Sequence, residues 1–109
     1  MGISHTDLFD VETNQLASLA KVLGHPARLA ILRHLHLAKA CINGDLVEEI
    51  GLAQATISQH LKELKNAGLI QGNIEGTRVN YCIHSENWAR VASLFAHFFA
   101  EYENPNSCC

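Results

Sequence analysis

Long hydrophobic runs, charge of one sign, dense cysteine and internal repeats are all missing from this chain of 109 residues. The longest uncharged apolar stretch, Val91 to Ala100, is half of a membrane span and contains His97. No basic start followed by an apolar block opens the chain, which argues against a cleaved secretory signal. The formal net charge of −3 argues against a histone-like protein that coats nucleic acid non-specifically. Charged residues make up 17% and apolar ones 48%, so the chain is neither disordered nor collagen-like. Its length suits a single domain over residues 1–109, with no room for a second core. The expected compartment is the cytoplasm.

Cysteine is scarce in a way that fits that compartment. Cys41, Cys82, Cys108 and Cys109 are too few for a small secreted disulfide scaffold. Scattered thiols in a reducing cytosol pack as small hydrophobes, bind soft metals or sense oxidants.

The charge that is present is unevenly spread. Residues 1–20 hold Asp7, Asp10 and Glu12 without a Lys or Arg. Residues 21–82 hold seven of the eight basic residues against five acids, a local +2. From Ile83 onward Arg90 stands against Glu86, Glu101 and Glu103. A mildly basic middle between acidic ends suits a module that touches phosphates with one face, although a scatter of solvated charges would look the same.

Periodicity divides the chain into five helices and a hairpin. A first helix is expected from after Thr6, a good N-cap, to about Leu23, stopped by Gly24. Pro26 suits the first turn of a second helix, which Leu29, Ile31, Leu32, Leu35 and Leu37 make mostly buried. Ala38 to Gly44 reads as a connection and Asp45 to Ile50 as a short third helix. The next helix, about Gln54 to Ala67, carries Ile57, Leu61 and Leu64 as a narrow apolar stripe and is closed by Gly68. Leu69 to Glu75 and Arg78 to Ile83 flank Gly76-Thr77 as two strands of a hairpin, with Val79, Tyr81 and Ile83 inward and Cys82 opposite. Ser85 is expected to cap a last helix reaching about Tyr102, whose wide aromatic face includes Trp88, Phe95, Phe98 and Phe99. A terminal helix that apolar suits an interface between two copies. Residues 104–109 read as a flexible tail carrying two cysteines.

This is the element order of a winged helix-turn-helix: mostly α with a small β-hairpin. The expected parts are residues 7–84 for the helix-turn-helix and wing, and 85–103 for a dimerisation helix. A short helix and a tight connection would project the polar N-terminal half of the next one. That half carries Gln54, Thr56, Ser58, Gln59, His60 and Lys62. Amides and hydroxyls bond base edges or phosphates, and Lys adds charge. Arg78 follows the hairpin turn, where a wing reaches the flanking backbone or minor groove. A merely solvated polar face and a protein-binding winged helix are the competing readings.

The runs KVLGHPARLAILRHL, QATISQHLKELKNAGLI and GTRVNYCI resemble the ArsR/SmtB family of arsenic- and metal-responsive bacterial repressors, over about residues 15–100. The resemblance implies a homodimer, joined by its first and last helices, that leaves its operator DNA when an inducer binds. It also implies that Gln54, Thr56, Ser58, Gln59, His60 and Lys62 face the major groove and that Arg78 sits in the wing. The family's inducer sites match less well. A Cys-x-Cys-Asp-Leu-like run is replaced by Cys41-Ile42-Asn43-Gly44-Asp45-Leu46, which lacks the second thiol. The zinc positions of another subgroup fall on Ser85, Asn87, Phe98 and Glu101, leaving a single plausible ligand, with His84 and His97 at the wrong spacing.

The remaining candidate is the thiol set. Trivalent arsenic or antimony prefers three thiolates, and Cys41, Cys108 and Cys109 could supply them. The alternative is a redox- or persulfide-responsive repressor using the same thiols. Cys82 reads as a filler. An enzyme is not expected: six places after Cys41 stands Val47 rather than the arginine of a small arsenate reductase, and no glycine-rich phosphate loop or organic-cofactor motif occurs.

Overall fold

The computed structural model describes residues 8–38, 42–43, 50–75 and 78–102. Helix α1 spans Val11–Leu23 and α2 spans Pro26–Ala38. The cap of α1 is Asp10, whose carboxylate accepts from the Thr13 N–H at 2.8 Å. The expected start after Thr6 is thus replaced by one four residues later, and Thr6 itself lies outside the described residues. Both residues are good caps, and the pattern beyond Leu8 does not separate them. Glu12 in the first turn and Lys21 in the last match the helix dipole, and Gly24 ends α1 as expected.

Proline at the first position of α2 gives up no hydrogen bond, because that N–H has no partner within a helix. Ile31, Leu32 and Leu35 are fully buried, whereas Leu29 and Leu37 are exposed. Each of the exposed pair stands two residues from Ile31 or Leu35, which on a helix is nearly the opposite side. The expected, mostly buried helix is thus buried along one side only.

Strand β1, Ile42–Asn43, was not expected; the segment reads as a connection, and two residues cannot show an alternating pattern. It pairs antiparallel with β3, Arg78–Ile83, which also pairs antiparallel with β2, Ile70–Glu75. The sheet order is β1-β3-β2, so β3 is central. Gly72 has φ +148°, and a Cβ there would strike the Asn80 carbonyl on the neighbouring strand. The expected turn at Gly76-Thr77 and all of the expected short helix except Ile50 lie outside the described residues.

Helix α3, Gln54–Asn66, ends in a Schellman motif. The Gly68 N–H donates to the Lys65 carbonyl at 2.9 Å and the Leu69 N–H to the Leu64 carbonyl at 3.1 Å, with Gly68 at φ +79°. Helix α4, Ser85–Ala100, is capped by His84 rather than Ser85: the His84 Nδ1 accepts from the Asn87 N–H at 3.2 Å. The core joins Leu19 of α1, Ile31 and Leu35 of α2, the α3 stripe, Tyr81 of β3 and Val91 of α4. Among the described residues no helix is long and apolar enough to cross a membrane.

Candidate nucleic-acid interface

Ile57, Leu61 and Leu64 sit at i, i+4 and i+7 and are all but inaccessible, which fixes the rotation of α3. The opposite side therefore faces outward. Ala55, Thr56, Gln59, Lys62, Lys65 and Asn66 are exposed, and Ser58 is half-buried. Ala55, Ser58, Gln59, Lys62, Lys65, Asn66 and Tyr81 line an open groove of about 730 Å³. Tyr81 supplies its floor, and burial raises the Tyr81 phenol above its ordinary value.

The face is poor in acid. Glu63 is the only carboxylate on α3, and its Oε1 accepts from the Gln59 Nε2 at 3.2 Å. Gln54 opens the helix, and the preceding Ala53 has no side chain to cap it. The first-turn N–H groups of α3 thus lack a capping side chain at the positive end of the helix dipole. Amides, hydroxyls and ammonium groups in a concave, acid-poor strip can bond to phosphate oxygens and base edges.

His60 is placed differently from its neighbours. It is half-buried, its Nδ1 accepts from the Arg28 Nε at 3.0 Å, and its ring centroid lies 5.8 Å from that of His25. Burial, then the charges of Arg28 and His25, hold the imidazole below its ordinary value of 6.5. Arg78 opens β3 and stands opposite Glu75 in the sheet register.

Sequence reasoning passed over Lys65, Asn66 and Arg28. The first two continue the outward stripe of Ala55, Gln59 and Lys62 by one turn, so the i+3/i+4 spacing already contained them. Arg28 carried no such signal, because its partner is 32 residues away.

The candidate inducer residues divide differently. Cys41, Cys108 and Cys109 lie outside the described residues, and Cys82 is half-buried on β3. Among the described residues no three His, Cys, Asp or Glu side chains gather in a way that could hold a metal ion. His84 serves as the cap of α4, and the His97 Nδ1 lies 3.9 Å from the Glu12 Oε1 on α1. Asn87 bonds the Gly68 carbonyl at 2.7 Å and accepts from the Arg90 Nε at 2.8 Å.

Helices α1 and α4 flank a second groove of about 540 Å³, with Leu16, Ala17, Phe95, Phe98 and Phe99 as its apolar lining and Asp10, Glu12 and Glu101 among its polar lining. Phe98 and Phe99 in the last turn of α4 are 49% and 71% exposed, and Tyr102, two residues beyond the end of the helix, is 72% exposed, which leaves a cluster of aromatic surface.

Residues 25–71, which include α2 and α3, match the family described as bacterial regulatory protein, arsR family. The chain is 33% identical over 99 residues to the HTH-type transcriptional regulator CmtR of Mycobacterium tuberculosis, covering 91% of this chain and 83% of that one. Its fold is similar to the homodimeric winged helix-turn-helix DNA-binding domain of a possible ArsR-family regulator from Mycobacterium bovis. That likeness has a TM-score of 0.61 at 30% identity, over 95% of this chain and 94% of the other. NolR from Sinorhizobium fredii shares the fold at a TM-score of 0.61 and 23% identity, over 91% and 96% of the two chains. The basic, acid-poor helix and its sheet are thus the helix-turn-helix and wing of a DNA-binding transcriptional regulator rather than part of an enzyme, and the chain belongs to the arsR family of bacterial regulatory proteins.

Proposed function

We propose that this protein is a homodimeric repressor that holds operator DNA through α3 and the wing. It leaves the DNA when a trivalent arsenic or antimony ion is taken by the thiolates of Cys41, Cys108 and Cys109. The observation that carries the DNA contact is the outward stripe of α3, with Thr56, Gln59, Lys62 and Lys65 exposed and its single carboxylate occupied by Gln59. Gln54, Ser58 and Arg78 belong to the same proposed contact, at the start of the helix, beside its groove and at the start of β3.

Two copies are needed because one helix reads only one half-site. The exposed aromatic side chains of α4 and the mixed apolar and acidic groove beside α1 are the surface that a second copy would cover. The M. bovis neighbour, described as homodimeric, supports this assembly.

The inducer reading rests on the chemistry of the donors. Thiolates select soft ions over Mg²⁺ and Ca²⁺, and Cys108 and Cys109 are vicinal within a polar stretch. Six residues counted from Asn104 span at most about 20 Å when extended. Cys82 belongs in the same tests: Cys41 directly precedes Ile42, whose partner in the sheet is Tyr81, and Cys82 directly follows Tyr81. Inducer and operator must weaken each other by the same factor, since binding linkage is reciprocal.

The test is fluorescence anisotropy of a duplex from the gene's own upstream region, in a phosphine reductant free of competing thiols. Arsenite is added in one series and zinc in another. Release by arsenite alone supports the proposal, and a Cys108→Ser/Cys109→Ser protein is then expected to bind DNA normally and ignore arsenite. If that double variant still responds fully, the tail thiols are not the site. Release only by an oxidant or persulfide, reversed by reductant, would favour the thiol-redox reading instead.

A further inference from the structure

Arg28 reaches from α2 to both neighbouring helices. Its Nε donates to the His60 Nδ1 on α3 at 3.0 Å, and its Nη1 donates to the Val22 carbonyl in the last turn of α1 at 3.2 Å. The core that these three helices share is built of apolar side chains such as Leu19, Ile31, Leu35, Ile57 and Leu61. Apolar contacts carry no preferred direction and tolerate small rotations. A planar guanidinium does not, because its donors leave in fixed directions.

The bond to His60 has a chemical condition. A guanidinium can only donate, so the His60 Nδ1 must present a lone pair and the proton of the neutral ring is on Nε2. An imidazolium carries N–H on both nitrogens and cannot accept. It would also face a fixed cation across the same 3.0 Å. Among the described residues, Arg28 of α2 and His25, just before α2, are the charged or titratable groups outside α3 that act on His60, and both oppose a positive charge there. On α3 itself Lys62 does the same by sign, and Glu63 is bonded to Gln59.

We propose that Arg28 is a positioning residue for the DNA-reading helix: through neutral His60 it fixes the setting of α3 against α1 and α2, and so ties operator affinity to the charge of His60. The proposal rests on α3 being the DNA-contacting helix. It also separates two roles for His60 by sign. A His60 that touches phosphate gains affinity on protonation. A His60 that serves as acceptor for Arg28 loses it.

His60→Gln keeps a side-chain carbonyl for Arg28 and cannot titrate. Anisotropy titrations of wild type and His60→Gln on one operator duplex, at fixed salt from about pH 7.5 to about pH 5.5, cover the range in which a histidine changes charge. His25 is coupled to His60, so His25→Gln is carried in both proteins; the remaining histidines then act equally, and the ratio of the two Kd values isolates His60. The protein that keeps His60 is expected to weaken relative to His60→Gln by about threefold or more on acidification, the size of one lost side-chain hydrogen bond. Arg28→Met is expected to weaken binding at neutral pH and to remove this pH-dependent difference. A ratio that stays flat, or that falls with acid, overturns the proposal.

A second readout needs no DNA. The ring nitrogens of His60, observed by ¹⁵N NMR in the intact protein at neutral pH, are expected to show Nδ1 bare and Nε2 protonated. A protonated Nδ1 would overturn the joint itself. Absence of salt-dependent binding to any duplex, with the Nδ1 signature present, would instead overturn the DNA reading and the positioning role that depends on it.

Discussion

Gly68 sets where α3 stops, and a Cβ there would force the Asn87 side chain to shift. Its φ of +79° disfavours any other residue, and a Cβ would lie 2.6 Å from the Asn87 Nδ2 that bonds its carbonyl. Gly68→Ala is expected to destabilise the fold by about 1–3 kcal/mol, read as a lowered Tm. Asn87→Ala in that background removes the clash, so the two losses should fall short of adding. At Lys62, exposed on the outward stripe, the expected effect is on binding instead. Lys62→Ala should weaken operator and unrelated duplex alike and reduce the salt slope of log K by about one, if it neutralises one phosphate. A Lys62→Ala protein with an unchanged slope would place that ammonium off the DNA. The outward side chains of α3 were legible in the sequence from the burial pattern of Ile57, Leu61 and Leu64. The bond that turns His60 toward Arg28 was not, because a helical period records which side is wet and not which distant residue waits at its edge. The capping role of His84 was hidden for a related reason: histidine is not among the usual caps, and Ser85 beside it is.

Helix α1 depends on one carboxylate at its start. Hydrogen bonds from Thr13 hold the Asp10 carboxyl below its ordinary 3.8, so the cap stabilises the folded state above that value and is lost as pH falls through the lowered one. Far-UV circular dichroism of wild type and Asp10→Ala should therefore differ at neutral pH and converge in strong acid; a difference that persists there would locate the cap elsewhere. Within α3 the apolar stripe matters most. Leu61 has no exposed surface, and Leu61→Ala is expected to cost about 2–5 kcal/mol in a urea titration. Long periodic helices and the hairpin strands were readable because each carries a repeated signal. Strand β1 was not: at two residues it has no period, and it exists only because Tyr81 and Asn80 offer it an edge.

Across the whole molecule the outward stripe of α3 and the groove between α1 and α4 occupy different helices, so each can be altered without touching the other. Phe99→Asp would put a charge into the surface proposed for the second copy. Sedimentation velocity is expected to show a monomer, with Tm lowered by whatever stabilisation association supplied, while affinity for a two-half-site operator collapses. A variant that still sediments as a dimer would move the interface to another face. The winged architecture and its open terminal helix were visible in the sequence, but the sequence could not show that α1 and α4 form a groove together, since that follows from how both lean on one core. One indole stands near this junction. Trp88, the chain's single tryptophan, opens α4 half-buried against the core. All tryptophan emission from the protein therefore comes from the root of that helix. Denaturation followed by this light and by ellipticity should trace one curve if α4 melts with the rest. An earlier optical transition would mean that α4 leaves first, opening its outer surface before α3 and the sheet have lost their shape.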